Sequence, residues 1–251
     1  MIFPIIVMIA SPKIGFEWAI RLVAFVTAFL LIVANLLIRT RLPLNKKAGA
    51  SVDFKSLADT KYALTTVAVW FIELANFIPN TYISSYALHV GIDQSTAYAL
   101  IPMLNAGTVV GRFLPGLIAD YYGRFNIMIL TTLACGIITL ALWYRAEDSL
   151  PAIISYALLF GFFSGTGIGL TFVCISQVCA IEDLGKRSGT AFTIASVASL
   201  VGIPIAGAIQ QAGNGEYGWL IVFAGLAYVA TSISFLIAKG YCCAWRLKTV
   251  F

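Results

Sequence analysis

Seven stretches of this chain, near residues 18–38, 62–88, 97–119, 126–144, 151–177, 189–211 and 218–238, are mostly apolar and long enough to cross a bilayer as helices. A spanning helix needs roughly 20 such residues. Composition agrees: 60% of the residues are hydrophobic, 11% are charged and the mean hydropathy is +0.93. A soluble domain of this length rarely has such a balance. The chain is therefore expected to be all-α, a polytopic membrane helix bundle. Met1 to Ala10 are also apolar but reach only about 15 Å at helical rise, half a bilayer. No basic residue precedes Lys13 and no small-residue cleavage site stands out, so this stub reads as the end of a partial helix rather than a secretory signal.

The net charge of +5 does not point to nucleic acid, because the basic residues sit between apolar stretches rather than on one soluble face. Arg39, Arg41, Lys46, Lys47, Lys55 and Lys61 share one loop, and Arg124, the pair Lys186 and Arg187, and Lys239, Arg246 and Lys248 fall at every second later loop. The alternate loops hold only Lys13 and Arg145. The positive-inside rule then makes the 39–61 loop, the 120–126 and 180–188 turns and the C-terminus cytoplasmic. Trp18, Trp143 and Trp219 fall near the outer interface in this arrangement, and Tyr241 and Trp245 near the inner one, as aromatic belts would.

The one substantial polar interval, 39–61, carries Pro43, Gly49 and mixed charges. It divides the chain into 1–38, the end of one helical half, the 39–61 linker, a six-helix unit over 62–240 and a tail over 241–251. Loops as short as those after residue 62 make successive helices antiparallel neighbours. Ser56-Leu-Ala-Asp59 has the spacing of a capping box and places a helix start near 60. Gly161, Gly165 and Gly169 recur every four residues, a smooth stripe suited to close helix packing. The five cysteines have no CxxC spacing; Cys135 and Cys174 read as small apolar fillers, and Cys242 and Cys243 as candidates for acylation.

Polar residues inside the apolar runs carry the chemistry. Glu73, Asn76, Asn80 and Ser84 fall at i, i+3, i+7 and i+11, one face of a helix, with Pro79 removing a backbone hydrogen bond beside Asn80. Irregular backbone at membrane depth belongs where it lines a cavity, so this face is expected to be a gate or a substrate surface. Asn105, Thr108 and Arg112 repeat the pattern at i, i+3 and i+7. An arginine inside a span costs about 2.5–3.5 kcal/mol on insertion scales unless it has a partner, a watery cavity or a ligand. At 1.5 Å per residue Glu73 lies about 16 Å and Arg112 about 10 Å from the cytoplasmic ends, which permits either a fixed ion pair or an exchangeable one. In the second case Arg112 binds an anionic group bidentately, and Glu73, freed in a low-dielectric cavity, carries a proton.

From Gly116 the chain reads Gly-Leu-Ile-Ala-Asp-Tyr-Tyr-Gly-Arg, the pattern G-x-x-x-D-x-x-G-R at a short inner loop. This resembles the signature loop of the major facilitator superfamily in its weaker, second-half form, since Tyr121 and Phe125 stand where the fuller motif often has basic residues. The match carries Gly116, Asp120, Gly123 and Arg124 over as a conformational latch. In that role Asp120 accepts from the N–H groups of a nearby helix N-terminus, Gly123 makes the tight turn and Arg124 supplies a charge. Residues 77–88, 104–116 and 201–209 look like the monocarboxylate-porter branch of that superfamily, its fungal members above all. Phe3-Pro4 and residues 15–21 resemble that branch's fifth-to-sixth helix region.

The resemblance implies the C-terminal portion of a twelve-helix secondary transporter, with helices seven to twelve complete. It implies small organic anions or related metabolites as substrates, in an alternating-access cycle at the plasma membrane. Proton-linked animal members of the branch carry an aspartate one turn before the arginine, where this chain has Thr108, so proton symport would need Glu73 as a substitute. The partners expected are the substrate, the proton, the lipid bilayer and the other half of the transporter, without which the chain is expected to be inactive; nucleic acid is not among them. No cofactor, metal site or enzymatic activity is expected: His89, the one histidine, lies near an outer loop, and no nucleophile elbow or paired intramembrane aspartates occur. Two alternatives share the topology, a seven-helix receptor and a non-transporting half-porter that modulates a full-length one.

Overall fold

The computed structural model of the protein describes residues 2–39 and 52–243. Arg41, Pro43, Lys46, Lys47, Gly49, Trp245, Arg246, Lys248 and the side chain of Cys243 lie outside the described residues. The chain divides into two compact units. The first holds α1 (Ile2–Ile14) and α2 (Phe16–Leu37), separated at Gly15, whose φ of +79° is the left-handed conformation that glycine tolerates.

The second unit begins with a 3₁₀ turn, Phe54–Ala58, followed by α3 (Thr60–His89), α4 (Gln94–Tyr122), α5 (Arg124–Ile138), α6 (Leu150–Gln177), α7 (Leu184–Ala212) and α8 (Gly218–Cys243). Among the described residues every element is helical, and α2 to α4, α5 together with the turn that continues it to Trp143, and α6 to α8 are each long and apolar enough to cross a membrane. The protein is a multi-pass integral membrane protein with the expected helix bundle. Its helices outrun the apolar windows at several ends because polar turns continue them. Asp93 caps α4 by accepting from Ser95 N at 3.0 Å, and α7 opens on the polar Leu-Gly-Lys-Arg-Ser turn. In the same way Asp59, not Ser56, caps α3, accepting from Lys61 N at 3.1 Å, while Ser56 turns its hydroxyl back to the Asp53 carbonyl. Asp59→Ala removes this cap and the contact to Arg187, so it is expected to cost about 1–2 kcal/mol and lower the Tm of the purified protein by several degrees.

Half of α3 is buried, and it packs against α7, α8, α4 and α6. The α4–α6 seam is the closest in the molecule. A Cβ added at Gly107, Gly111, Gly161 or Gly165 would stand 2.4, 1.8, 2.1 or 2.6 Å from a backbone oxygen of the facing helix. Thr166 Oγ1 donates across this seam to the Gly111 carbonyl at 2.9 Å. Two of the three glycines in the expected stripe thus make the seam. Gly169 instead opens onto space.

The α5 helix ends in a π turn, Thr139–Trp143, closed by Tyr144 N on the Thr139 carbonyl at 3.2 Å. This turn folds Trp143 into the core, fully buried and stacked 4.9 Å from the Tyr156 ring. Trp143 is therefore not an interfacial belt residue, in contrast to the exposed Trp18 and Trp219. A strict 3.6-residue count along this segment could not foresee the extra residue in the turn. Cys135 and Cys174 are fully buried, as expected of fillers.

Candidate functional site

The polar face of α3 lies against α7 and α8. Ser199 Oγ of α7 donates to Glu73 Oε2 at 3.2 Å. Asn76, only 5% exposed, accepts from Tyr228 Oη of α8 at 3.4 Å. Asn80 donates from Nδ2 to the Asn76 carbonyl at 2.8 Å, bracing the backbone beside Pro79, and Ser84 is buried with its hydroxyl on the Ala97 carbonyl at 3.0 Å. Asn76 and Ser84 are thereby consumed inside the bundle. Glu73 and Asn80 stay half-buried, with the remaining oxygen and amide capacity to meet a ligand.

On α4 the three polar positions part company. Thr108 is buried against Gly165 and returns its hydroxyl to the Leu104 carbonyl at 3.1 Å. Asn105 is half-buried and donates to the Ile101 carbonyl at 2.9 Å. Arg112 is exposed. Among the described residues the ion pairs are Arg124–Asp120 and Arg187–Asp59, so the Glu73–Arg112 pair that helix depth permits is not formed. The reason is rotational: Glu73 turns toward α7, whereas Arg112 opens into the groove that α4 makes with α6.

That groove is a recess of about 250 Å³ lined by Arg112, Gly116, Asp120 and Arg124 together with Thr166, Gly169, Leu170 and Val173. Arg112, Gly116 and Asp120 are spaced i, i+4, i+8 along one ridge of α4. Gly116 and Gly169 add no side chains to the space between the walls, where a Cβ on either would meet nothing within 4 Å. Asp120 pairs with Arg124 Nη2 at 3.3 Å across Gly123, whose φ is +90°. Its partner is this guanidinium rather than the helix N-terminus expected for it. With that carboxylate already paired, the uncompensated charge of the recess is the Arg112 guanidinium.

A second polar cluster fastens the starting ends of α3 and α7. Arg187 Nη1 donates to Asp59 Oδ2 at 3.3 Å, its guanidinium lies 5.4 Å over the Tyr62 ring, and Tyr62 Oη donates to the Arg187 carbonyl at 2.7 Å. Asp53 N donates to Thr190 Oγ1 at 2.8 Å beside it. Cys179, in the turn after α6, borders this cluster; burial pushes its thiol up, and the Arg187 guanidinium pulls against that shift. At the far end His89 Nε2 stands 3.9 Å from Glu216 and its ring 5.2 Å from that of Tyr217.

A model of the Major Facilitator Superfamily matches residues 1–207. The chain belongs to the Major Facilitator Superfamily. An "MFS-type transporter" of Gibberella moniliformis is 38% identical over 247 residues, 98% of this chain and 59% of that protein. "Riboflavin transporter MCH5" of Saccharomyces cerevisiae is 33% identical over 94% of this chain and 49% of its own length. "Aspyridones efflux protein apdF" of Emericella nidulans is 34% identical, with the same two shares, 94% and 49%. The chain spans about half to three-fifths of the length of these facilitators.

Two residues that position these polar groups lie outside α3 and α4, Ser199 on α7 and Tyr228 on α8, and Tyr82 of α3 adds a bond to the Ile203 carbonyl of α7 that residue spacing does not mark. For Ser199 a signal existed, since Thr193, Ser196 and Ser199 repeat every three residues in an apolar run. The two tyrosines carry no comparable periodic mark.

Proposed function

We propose that this chain is the C-terminal portion of a secondary, alternating-access transporter of small organic anions or related metabolites, of the monocarboxylate-porter type. The observation that carries the reading is a guanidinium, Arg112, in a recess between two spanning helices and without an ion-pair partner among the described residues. A charge at that depth is tolerated when a cavity or ligand receives it, and the planar fork suits a carboxylate. The relatives named for riboflavin and aspyridones support a metabolite as cargo. Glu73 and Asn80 line the second part of the pathway on α3, and Glu73 is the coupling acid in place of the residue at Thr108. The Gly116, Asp120, Gly123 and Arg124 segment latches one access state through the Asp120–Arg124 pair.

The division at the 39–61 linker fits two membrane units, α1 and α2 ending the first and α3 to α8 making the second. The protein sits in the plasma membrane with the C-terminus and the 120–126 turn in the cytoplasm. The relatives' additional length supplies the opposing half, and the chain alone carries no substrate. Proteoliposomes holding a complete facilitator that contains this chain are expected to show saturable uptake of radiolabelled organic anions, and liposomes with this chain alone none. Ligand-triggered signalling without flux would favour the seven-helix receptor, and suppression of a full-length porter's uptake by the chain would favour the modulating half-porter.

A further inference from the structure

The helices α3 and α7 lie side by side and run in the same direction. Their contacts climb in step: Tyr62 with Arg187, Glu73 with Ser199, the Leu74 carbonyl beneath Gly202, and Tyr82 with Ile203. Each carries an interior proline, Pro79 and Pro204, at matching heights about 30 Å from the starting ends. Either proline removes one helical hydrogen bond, to the carbonyls of Ala75 and Leu200, and makes a bend easy there.

What surrounds the two prolines differs. Past Pro79, α3 stays bound to the rest of the bundle: Ser84 reaches the Ala97 carbonyl, and Tyr86 Oη donates to the Glu147 carbonyl at 3.1 Å while its ring meets those of Trp143 and Tyr217. On α7 every polar tie to α3 precedes the proline. Arg187 and Ser199 lie before it, and Tyr82 Oη donates at 3.1 Å to the carbonyl of Ile203, the residue next to Pro204. Beyond Pro204, Ala206 is buried in the core and Gly207 lies against the Tyr82 hydroxyl, where a Cβ would stand 2.8 Å away, while no polar side chain ties this stretch to α3 among the described residues. Behind this last stretch lies an apolar recess of about 520 Å³, lined by Ile209, Ala212 and Gly213 on one side and Trp219, Val222, Phe223 and Leu226 of α8 on the other.

We propose that the α7 segment from Ile205 to Ala212 is a gate that pivots at Pro204 between α3 and the α8 recess, with Tyr82 as the positioning residue that pins its hinge. The inference rests on the alternating-access reading. A bend of about 25° at the base of a segment about 12 Å long displaces its tip by about 5 Å, a movement the recess can receive.

The test is a spin-label distance measurement on this chain in nanodiscs, between Leu88→Cys at the end of α3 and Gln211→Cys on the gate, with Cys179, Cys242 and Cys243 replaced by serine. Tyr82→Phe keeps the ring and removes the pin; it is expected to raise the longer-distance population at least threefold over the unsubstituted background. Adding Pro204→Ala, which restores the helical hydrogen bond, is expected to remove that population. A Tyr82→Phe distribution identical to the background, or a longer population that persists with Pro204→Ala, overturns the proposal. Neither outcome depends on flux, so failure of the gate is distinguishable from failure of the transport reading.

Discussion

Gly111→Val is expected to prevent α4 and α6 from packing and to leave no monodisperse, folded protein. A Cβ at this position would lie 1.8 Å from the Phe162 carbonyl oxygen and 2.6 Å from its carbon. Both are backbone atoms of a helix, so no rotamer change relieves the overlap. A Cβ at Gly161 would in the same way stand 2.1 Å from the Leu104 carbonyl, which blocks the escape of sliding one helix along the other. In lipid such close approach of small residues is itself what drives helices together, because the surrounding tails are as apolar as the side chains. The cost therefore exceeds the ~1–3 kcal/mol of ordinary overpacking. Gly169→Val is the control: it belongs to the same sequence stripe, but its added Cβ meets nothing within 4 Å, so fold and Tm stay near wild type. Gel filtration and thermal unfolding read both variants. A monodisperse Gly111→Val protein with an unchanged Tm would contradict the seam.

Arg112→Ala in a complete facilitator is expected to reduce anion uptake at least ~100-fold, the effect of removing a paired charge contact worth about 3 kcal/mol. The fold should survive, because Arg112 is exposed and takes part in no ion pair among the described residues. Arg112→Lys keeps the charge and loses the fork, so it is expected to recover part of the uptake with a raised KM. Wild-type uptake by Arg112→Ala at equal protein levels would remove the guanidinium from the pathway. Glu73→Gln separates the two polar sites: it is expected to spare binding at Arg112 and to abolish the dependence of uptake on the proton gradient.

The helices were legible because lipid imposes a length and a polarity that few other segments meet, and the seven apolar windows correspond to α2 through α8. Their ends were less so, since polar caps such as Asp93 and the opening turn of α7 continue a helix beyond its apolar window. Residue spacing placed Glu73, Asn76 and Asn80 on one face, but not the neighbour that face would meet. Rotation about the helix axis decides that, and here the glycine seam turns α4 so that Thr108 points at α6 and Arg112 into the recess. Trp143 departs from expectation for a similar reason, because one π turn carries its side chain into the core. The motif makes Asp120 an acceptor at a helix N-terminus, yet its carboxylate meets Arg124, four residues along the same chain, at 3.3 Å.

In the proposed alternating-access cycle the substrate site opens to one side of the membrane at a time, and counterflow reads this behaviour. Proteoliposomes holding a complete facilitator are loaded with unlabelled organic anion at high concentration and diluted into a trace of the labelled one. Alternating access predicts transient accumulation of label inside, above its equilibrium level, with Arg112→Ala showing none. Label that only equilibrates, with no overshoot and no acceleration by the internal anion, would exclude alternating access.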